Sequence, residues 1–332
     1  MLKQFFRIIN FSFLIINCLT ATAQLRWVNV DSLYQPLPAS VHVFKTTDLL
    51  DGKPNIAFYV IADLKGRNIL FDTDTTYKRR FTPEQFFQKN NQPLLVVNTT
   101  FFSFQTNQNL NVVIKKGKLV SYNIHSILGR GKDTLTYRHT FGSAMGISKK
   151  RKADIAWLYN DSTKRFAFAM QYPMMPLKDS FKYLSFKNVV NDNKIILGHS
   201  GVSQSSFKKW KMKTAVGGGP VLLQNGEIKI TNNEELKFTG NAINDKHPRT
   251  AMGYTKDNKL IILVVQGRFP GVAEGATLVQ QAKILQDFGC WEALNLDGGG
   301  SSCLLINGKE TIKPSDATGQ RAVPAVFLIH NR

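Results

Sequence analysis

The sequence predicts an α+β fold: a large mixed β-sheet with a few packed helices, and glycine-rich strand-end loops forming the site. Three observations carry this. Short apolar or alternating runs recur along the chain, as strands do. Only two segments bear strong helix-start signals. The elements do not alternate strand and helix in the order of a doubly wound sheet.

Residues 1–23 have the layout of a signal peptide. Lys3 and Arg7 make a basic start, residues 8–19 are mostly apolar, and Ala21-Thr22-Ala23 fits a small-x-small cleavage site. Cleavage leaves Gln24 first. A lipid anchor at Cys18 is the less favoured alternative, because Asn17 before it fits poorly. The apolar run is too short to span a bilayer, and no later segment is long enough. The reading is an exported protein, periplasmic or extracellular, with no membrane span.

Residues 24–40 form a polar lead-in, and 41–332 one domain, clearest from 80 to 330. "VHVFKT" and "IAFYVIAD" read as strands. "TPEQFFQKNN", from Thr82 to Asn91, reads as a short helix with a threonine cap and proline at its first position. "PLLVVN" is a buried strand. "NVVIKKGKLVSY", "GPVLLQNGEIKI" and "AMGYTKDNKLIILVVQG" are hairpins. Thr277 and Gln280 make a capping box; Leu278, Ala282 and Leu285 follow at helical spacing, with Gly289 as the stop. The strand "ALNL" then ends in "DGGGSS".

The formal charge is +20; removing Lys3 and Arg7 with the leader leaves +18. The basic residues are scattered in sequence, as in "KKRK" (149–152) and "KKWKMK" (208–213), with no nucleic-acid-binding motif. The charge suits work among anionic envelope polymers, and equally a solvated basic surface. Cys290 and Cys303 are the two cysteines of the mature chain; they either bridge or sit as buried thiols. Neither a clustered His/Cys pattern nor a complete calcium loop occurs ("DTDTT" at 72–76 lacks the glycine and glutamate), so no metal or cofactor is expected.

Four strands end in glycines or small polar residues: "VVNTTFF" (96–102), "AVGGGPVLL" (215–223), "HPRTAMG" (247–253) and "LNLDGGGSS" (294–302). Glycine lets an anion approach backbone amides closely. Arg249 adds a planar fork suited to phosphate or carboxylate.

Together these stretches resemble the phosphodiester glycosidase family, most strongly over "RTAMGYTKDNKLIILVVQGR", "GATL" and "ALNLDGGGSSCLLINGK", and further through "GGGPVLLQNGE", "VVNTTFF" and "QRAVPAVFLI". The resemblance implies hydrolysis of a sugar-1-phosphodiester of the N-acetylglucosamine type to free sugar and phosphomonoester. Asp297 is then the first catalytic candidate, as nucleophile or base, and Glu274 the second carboxylate. Arg249 and the amides of Gly298, Gly299 and Gly300 would meet phosphate, with Ser301 and Ser302 as hydrogen-bonding hydroxyls. Asn98, Gly218, Gly219, Thr250 and Asn295 complete the candidate binding set, with Arg268 and Arg321 as weaker phosphate candidates. His247 and His199 are lesser candidates for acid–base work. The family carries a glycine or alanine pair after the asparagine where this chain has Thr99-Thr100, which bears on substrate fit. Two other readings stay open: cleavage at P–O, and a non-catalytic binder of anionic glycans.

Overall fold

The computed structural model describes residues 24–184 and 207–332. The leader reading of residues 1–23, the alternative at Cys18, and His199 lie outside the described residues. Among the described residues no helix is long and apolar enough to cross a membrane.

The three hairpins form where the pattern of apolar runs and turn residues puts them. Two turn at consecutive left-handed residues, Lys116 and Gly117 (φ 51° and 81°) and Asn225 and Gly226 (φ 56° and 81°). That geometry matches the twist of paired strands. Helix α1 (Pro83–Lys89) starts at Thr82, whose hydroxyl accepts from the Gln85 amide while Gln85 reaches back. A second short helix, α2, spans Asn232–Glu235. Helix α3 (Leu278–Asp287) starts at the Thr277–Gln280 capping box.

The described strands make four sheets. An eight-stranded sheet runs Val28–Asn29, Val41–Thr46, Ala57–Asp63, Lys259–Val265, Arg249–Thr255, Cys290–Asn295, Val221–Gln224, Glu227–Ile228. A seven-stranded sheet runs Lys208–Trp210, Ala167–Met170, Ala153–Tyr159, Gly142–Ser148, Met212–Gly217, Val113–Lys115, Lys118–Ser121. A five-stranded sheet runs Lys309–Glu310, Leu304–Ile306, Leu95–Asn98, Ala325–Asn331, Ile69–Thr75, and a small three-stranded one lies apart. The single large mixed sheet expected from sequence is therefore corrected. Every pairing among the described strands is antiparallel. Strands joined by tight turns must run antiparallel, whereas parallel neighbours need long crossovers.

The three larger sheets share one core. Val264 and Leu294 come from the eight-stranded sheet, Val97 and Phe327 from the five-stranded, Met145 and Trp157 from the seven-stranded. The eight-stranded sheet is covered on its other face by α3, where Leu278, Ala282 and Leu285 meet Ala251, Leu263 and Ala293. Each fully buried leucine there contributes about 2 kcal/mol. Two covered faces explain why "KLIILVV" is apolar without alternation. Cys290 and Cys303 are free and buried in different clusters, so they do not bridge.

One buried carboxylate ties two sheets together. Glu235, at the end of α2, accepts from Trp157 Nε1 (3.2 Å), Val221 N (3.1 Å), Thr231 Oγ1 (2.7 Å), Ser143 N (3.1 Å) and Ser143 Oγ (2.7 Å). Trp157 and Ser143 belong to the seven-stranded sheet, Val221 to the eight-stranded. Truncation would leave these donors buried and unsatisfied. Glu235→Ala should therefore cost about 3 kcal/mol or more of stability. Equilibrium urea unfolding reads this, and an unchanged midpoint would remove Glu235 from the joint between sheets.

Candidate functional site

The site grows from strand ends. Strand Cys290–Asn295 runs out into Leu296 and Asp297, and the chain then makes a short 3-10 turn at Gly299–Ser301. Strand Leu95–Asn98 of the five-stranded sheet ends beside it, and the Asp297 amide donates to Thr99 O (2.8 Å).

Asn98 is fully buried and holds the junction. Its Nδ2 donates to Asp297 O (2.6 Å), and its Oδ1 accepts from the Thr250 hydroxyl (2.9 Å) and the Cys303 amide (3.1 Å). The Thr250 hydroxyl also lies 3.1 Å from Ser302 Oγ. Asn98, Thr250 and Ser302 thus set the backbone around Asp297. Asn295 does the same on the next loop: its Nδ2 donates to Gly219 O (2.8 Å), and its carbonyl accepts the Gly219 amide (2.8 Å). Three buried side-chain oxygens of this region, Thr99 Oγ1, Asn295 Oδ1 and Ser301 Oγ, have no hydrogen-bond partner among the described residues. Each belongs to the chain around Asp297 or to the strand end bonded to it, so the polar groups there are incompletely satisfied within the protein.

Asp297 is partly open to solvent, yet protein surrounds its carboxyl on nearly every side. Burial pushes its pKa from 3.8 up to about 7, against the downward pull of the Ser301 hydroxyl, Arg321 and the Gly298 amide. The Ser301 hydroxyl is near enough to act on that charge but is not aligned for a hydrogen bond.

The glycines make room for arginines. Gly299 has φ 60°, and a Cβ there would sit 2.9 Å from Arg268 Nη2; a Cβ on Gly300 would collide with the Arg321 guanidinium. For Gly299, and for the amides of Gly218 and Gly219, this differs from the expectation that they meet an anion. The Gly299 amide is committed to Pro248 O (2.8 Å), Gly218 N to Ser143 O (3.1 Å) and Gly219 N to Asn295 O (2.8 Å). Arg268 is exposed, with no ion pair or hydrogen bond among the described residues. Arg321 is held by Asp316 (2.6 Å) and lies over the Phe104 ring. Asp297, Arg268 and Arg321 therefore converge on one glycine turn.

Two sequence candidates are employed elsewhere. Arg249 is 3% exposed, and its Nε and Nη2 donate to the carbonyls of Ala276 and Asp245 (both 2.8 Å). Burial draws its pKa down to about 10. It braces the loops behind the site. Glu274 is turned to the Gly271 amide in its own loop (3.2 Å), and it is not among the groups that set the protonation of Asp297. The pKa of His247 is lowered by burial and by Arg249 and Arg268, against the pull of Asp245, which disfavours the imidazolium form that a general acid needs.

Sequence reasoning missed Lys237. It lies within contact of Gly219, with Nζ 5.3 Å from the centre of the Phe101 ring, beside a cavity of about 280 Å³. Burial pulls its pKa down while Glu235 pulls it up. No local signal marks a lysine in "NNEELKFTG"; the left-handed turn at Leu236 (φ 50°) follows from tertiary packing.

Residues 174–330 match the family model described as Phosphodiester glycosidase. The chain is 28% identical over 157 residues to mouse N-acetylglucosamine-1-phosphodiester alpha-N-acetylglucosaminidase, covering 39% of this chain and 30% of that protein. A prophage-derived protein of Bacillus subtilis is 40% identical over 87 residues, 26% of this chain and 13% of its own. The chain thus spans less than a third of the length of these relatives. The fold matches the zebrafish N-acetylglucosamine-1-phosphodiester alpha-N-acetylglucosaminidase catalytic domain, auto-inhibited by its pro-peptide, with TM-score 0.53 and 23% identity over 90% of this chain and 85% of that one. The resemblance to phosphodiester glycosidases covers the Asp297 turn, Arg268 and Arg321; Asn98 reaches the site from outside the matched stretch.

The junction is testable without a substrate. Asn98→Ala leaves Asp297 O, the Thr250 hydroxyl and the Cys303 amide without their partner. It should lower stability by about 2–4 kcal/mol in urea unfolding. A loss below roughly 0.5 kcal/mol would mean water replaces the carboxamide freely.

Proposed function

We propose that this chain is an exported hydrolase that cleaves a sugar-1-phosphodiester, of the N-acetylglucosamine type, at the glycosidic C–O bond. The observation that carries the reading is the convergence of one carboxyl group, raised to about 7, with two guanidiniums on a single glycine turn. Arg268 and Arg321 supply a doubly cationic seat for the phosphodiester. Asp297, when ionised, faces the carbon that the phosphate leaves, where positive charge develops. As the anomeric C–O bond breaks, the electron pair goes to phosphate. Water then adds to the sugar carbon, either directly with Asp297 taking its proton, or by cleaving a glycosyl ester formed on Asp297 with the departed phosphate taking the proton, and the products are free sugar and phosphomonoester.

One carboxylate suffices for this substrate class. A phosphate leaving group is stable as an anion, so it needs charge stabilisation more than protonation. The engagement of Glu274 with the Gly271 amide and the lowered pKa of His247 are compatible with that chemistry. Of the Thr99-Thr100 departure, Thr100 is absorbed in packing, whereas the Thr99 hydroxyl is buried without a partner among the described residues. Both residues are buried, and the Thr100 hydroxyl donates to Asn109. The leader features of residues 1–23 support export.

Hydrolysis in ¹⁸O-labelled water tests the bond cleaved. Label should enter the sugar; label in the phosphate would replace this reading with P–O cleavage. Asp297→Asn keeps size and removes charge, and should lower turnover on the order of a thousandfold. Since the ionised form works, kcat/KM of the wild type should rise with pH through about 7. Stability should run the other way. With a pKa raised from 3.8 to about 7, the folded state holds this proton where the unfolded state has lost it. Stability therefore falls as pH rises across that window, and Asp297→Asn should flatten this part of the unfolding profile. A flat pH–rate profile between 5 and about 8 would sink the role given to Asp297.

Charge-conserving changes separate the arginines. Arg321→Lys should weaken turnover of a sugar phosphodiester far more than that of the same sugar with an uncharged leaving group, because lysine lacks the bidentate fork. Arg249→Lys should weaken both alike and lower the unfolding midpoint, since that guanidinium grips backbone carbonyls. The opposite pattern would return the phosphate to Arg249.

A further inference from the structure

The basic residues that are scattered in sequence meet in one cleft. Lys116 and Lys118 come from one hairpin, Lys149, Lys150 and Lys152 from the next turn, and Lys211 from the strand connection beyond. The cleft measures about 870 Å³; eight of its fourteen lining residues are Lys or Arg and none is Asp or Glu. Among the described residues, none of these six lysines makes an ion pair. Some lysines elsewhere are matched, as Lys89 and Lys115 are to Asp74, Lys178 to Asp133 and Lys259 to Asp63. Cations gathered without a counter-charge repel one another, and a bound polyanion relieves that repulsion while releasing its own counterions.

The cleft is built into the same strands as the candidate site. Strand Gly142–Ser148 begins beside Gly218, whose amide donates to Ser143 O, and ends at Ser148 on the cleft wall. Strand Met212–Gly217 starts on the cleft wall and runs into the Gly218–Gly219 loop. The two places are thus about 20 Å apart at ~3.3 Å per residue, at opposite ends of a rigid sheet. That separation makes the cleft a second anchoring point for a long ligand, not part of the reaction centre.

We propose that this cleft binds a linear sugar-phosphate polymer and holds it while the Asp297 site acts on the same or a neighbouring chain. Ammonium groups, which dominate here, serve as point charges for repeating phosphates. Two half-buried rings in the wall, Tyr122 and Phe166, offer apolar faces to sugar carbons. A concave wall suits a chain better than a membrane plane. Two rings alone are a short platform for the successive base stacking by which single-stranded nucleic acid is held. The choice of a sugar-phosphate polymer among polyanions rests on the hydrolase reading above; the cleft itself does not.

The test uses the Asp297→Asn protein, so that the ligand is not consumed. Binding of a labelled poly(N-acetylglucosamine 1-phosphate) oligomer is followed by fluorescence anisotropy over a range of salt. The comparison protein adds Lys149→Gln, Lys150→Gln, Lys152→Gln and Lys211→Gln, all at exposed positions. The four changes should weaken binding at least about tenfold at low salt and flatten the log K against log salt slope by about 3, at ~0.7 per phosphate contact. In the wild-type background they should leave hydrolysis of a small sugar-1-phosphodiester and the unfolding midpoint unchanged. A neutral N-acetylglucosamine oligomer of the same length should not bind. Equal binding by the two proteins, binding of the neutral oligomer, or tighter binding of single-stranded DNA or phosphatidylglycerol vesicles would each overturn the proposal. Groove-dependent binding without hydrolysis of any small phosphodiester by the wild type would instead fell the hydrolase reading and leave the cleft standing. Hydrolysis without groove-dependent binding would do the reverse.

Discussion

One buried carboxamide holds this architecture to its site. Asn98 ends a strand of the five-stranded sheet, and all three of its side-chain hydrogen bonds reach residues 250, 297 and 303, far along the chain. It joins the ends of two sheets that share a core but not a ladder. Remove it, and the strand end carrying Asp297 keeps its backbone bonds to Thr99 and Thr250 but loses the side-chain tie that links it to both sheets. Glu235 plays the matching part on the other side, joining the seven-stranded sheet to the Gly218–Gly219 loop. Both groups are polar, buried and almost fully satisfied, the condition under which such networks specify one arrangement.

That scaffold sets up an electrostatic conflict at Asp297. Burial disfavours the ionised carboxylate, while Arg321, Ser301 and the Gly298 amide favour it. The balance lies near neutrality, so a small change in the surroundings shifts the charge state. A phosphodiester bound over the glycine turn would bring negative charge toward the same guanidiniums. The glycines serve this conflict sterically. Side chains at 299 and 300 would displace Arg268 and Arg321 from the glycine turn.

Local features were legible because they depend on residues close in sequence. The threonine cap at Thr82, the capping box at Thr277, the hairpin turns at Gly226 and Gly117, and the apolar run of Lys259–Val265 are all written within a few positions. The Asp297 turn was legible for a related reason: an acid, three glycines and two serines after a buried strand is costly unless the backbone needs the space. The antiparallel division into four sheets was not legible, because pairing partners such as Ala325–Asn331 and Ile69–Thr75 are separated by most of the chain.

What the sequence alone determined was the presence of strand-end loops, one acidic glycine turn, and arginines able to meet an anion. It could not rank those arginines. Arg249 stands in the most suggestive motif, yet packing sends its guanidinium into backbone carbonyls, while Arg268 and Arg321, unremarkable in their own stretches, are brought over the glycines. It also could not show that lysines near 116, 150 and 211 converge, because each stretch on its own reads as solvated charge. A side chain's partner is set by which strands become neighbours, and that is a property of the folded chain as a whole, reached through contacts that no local window contains.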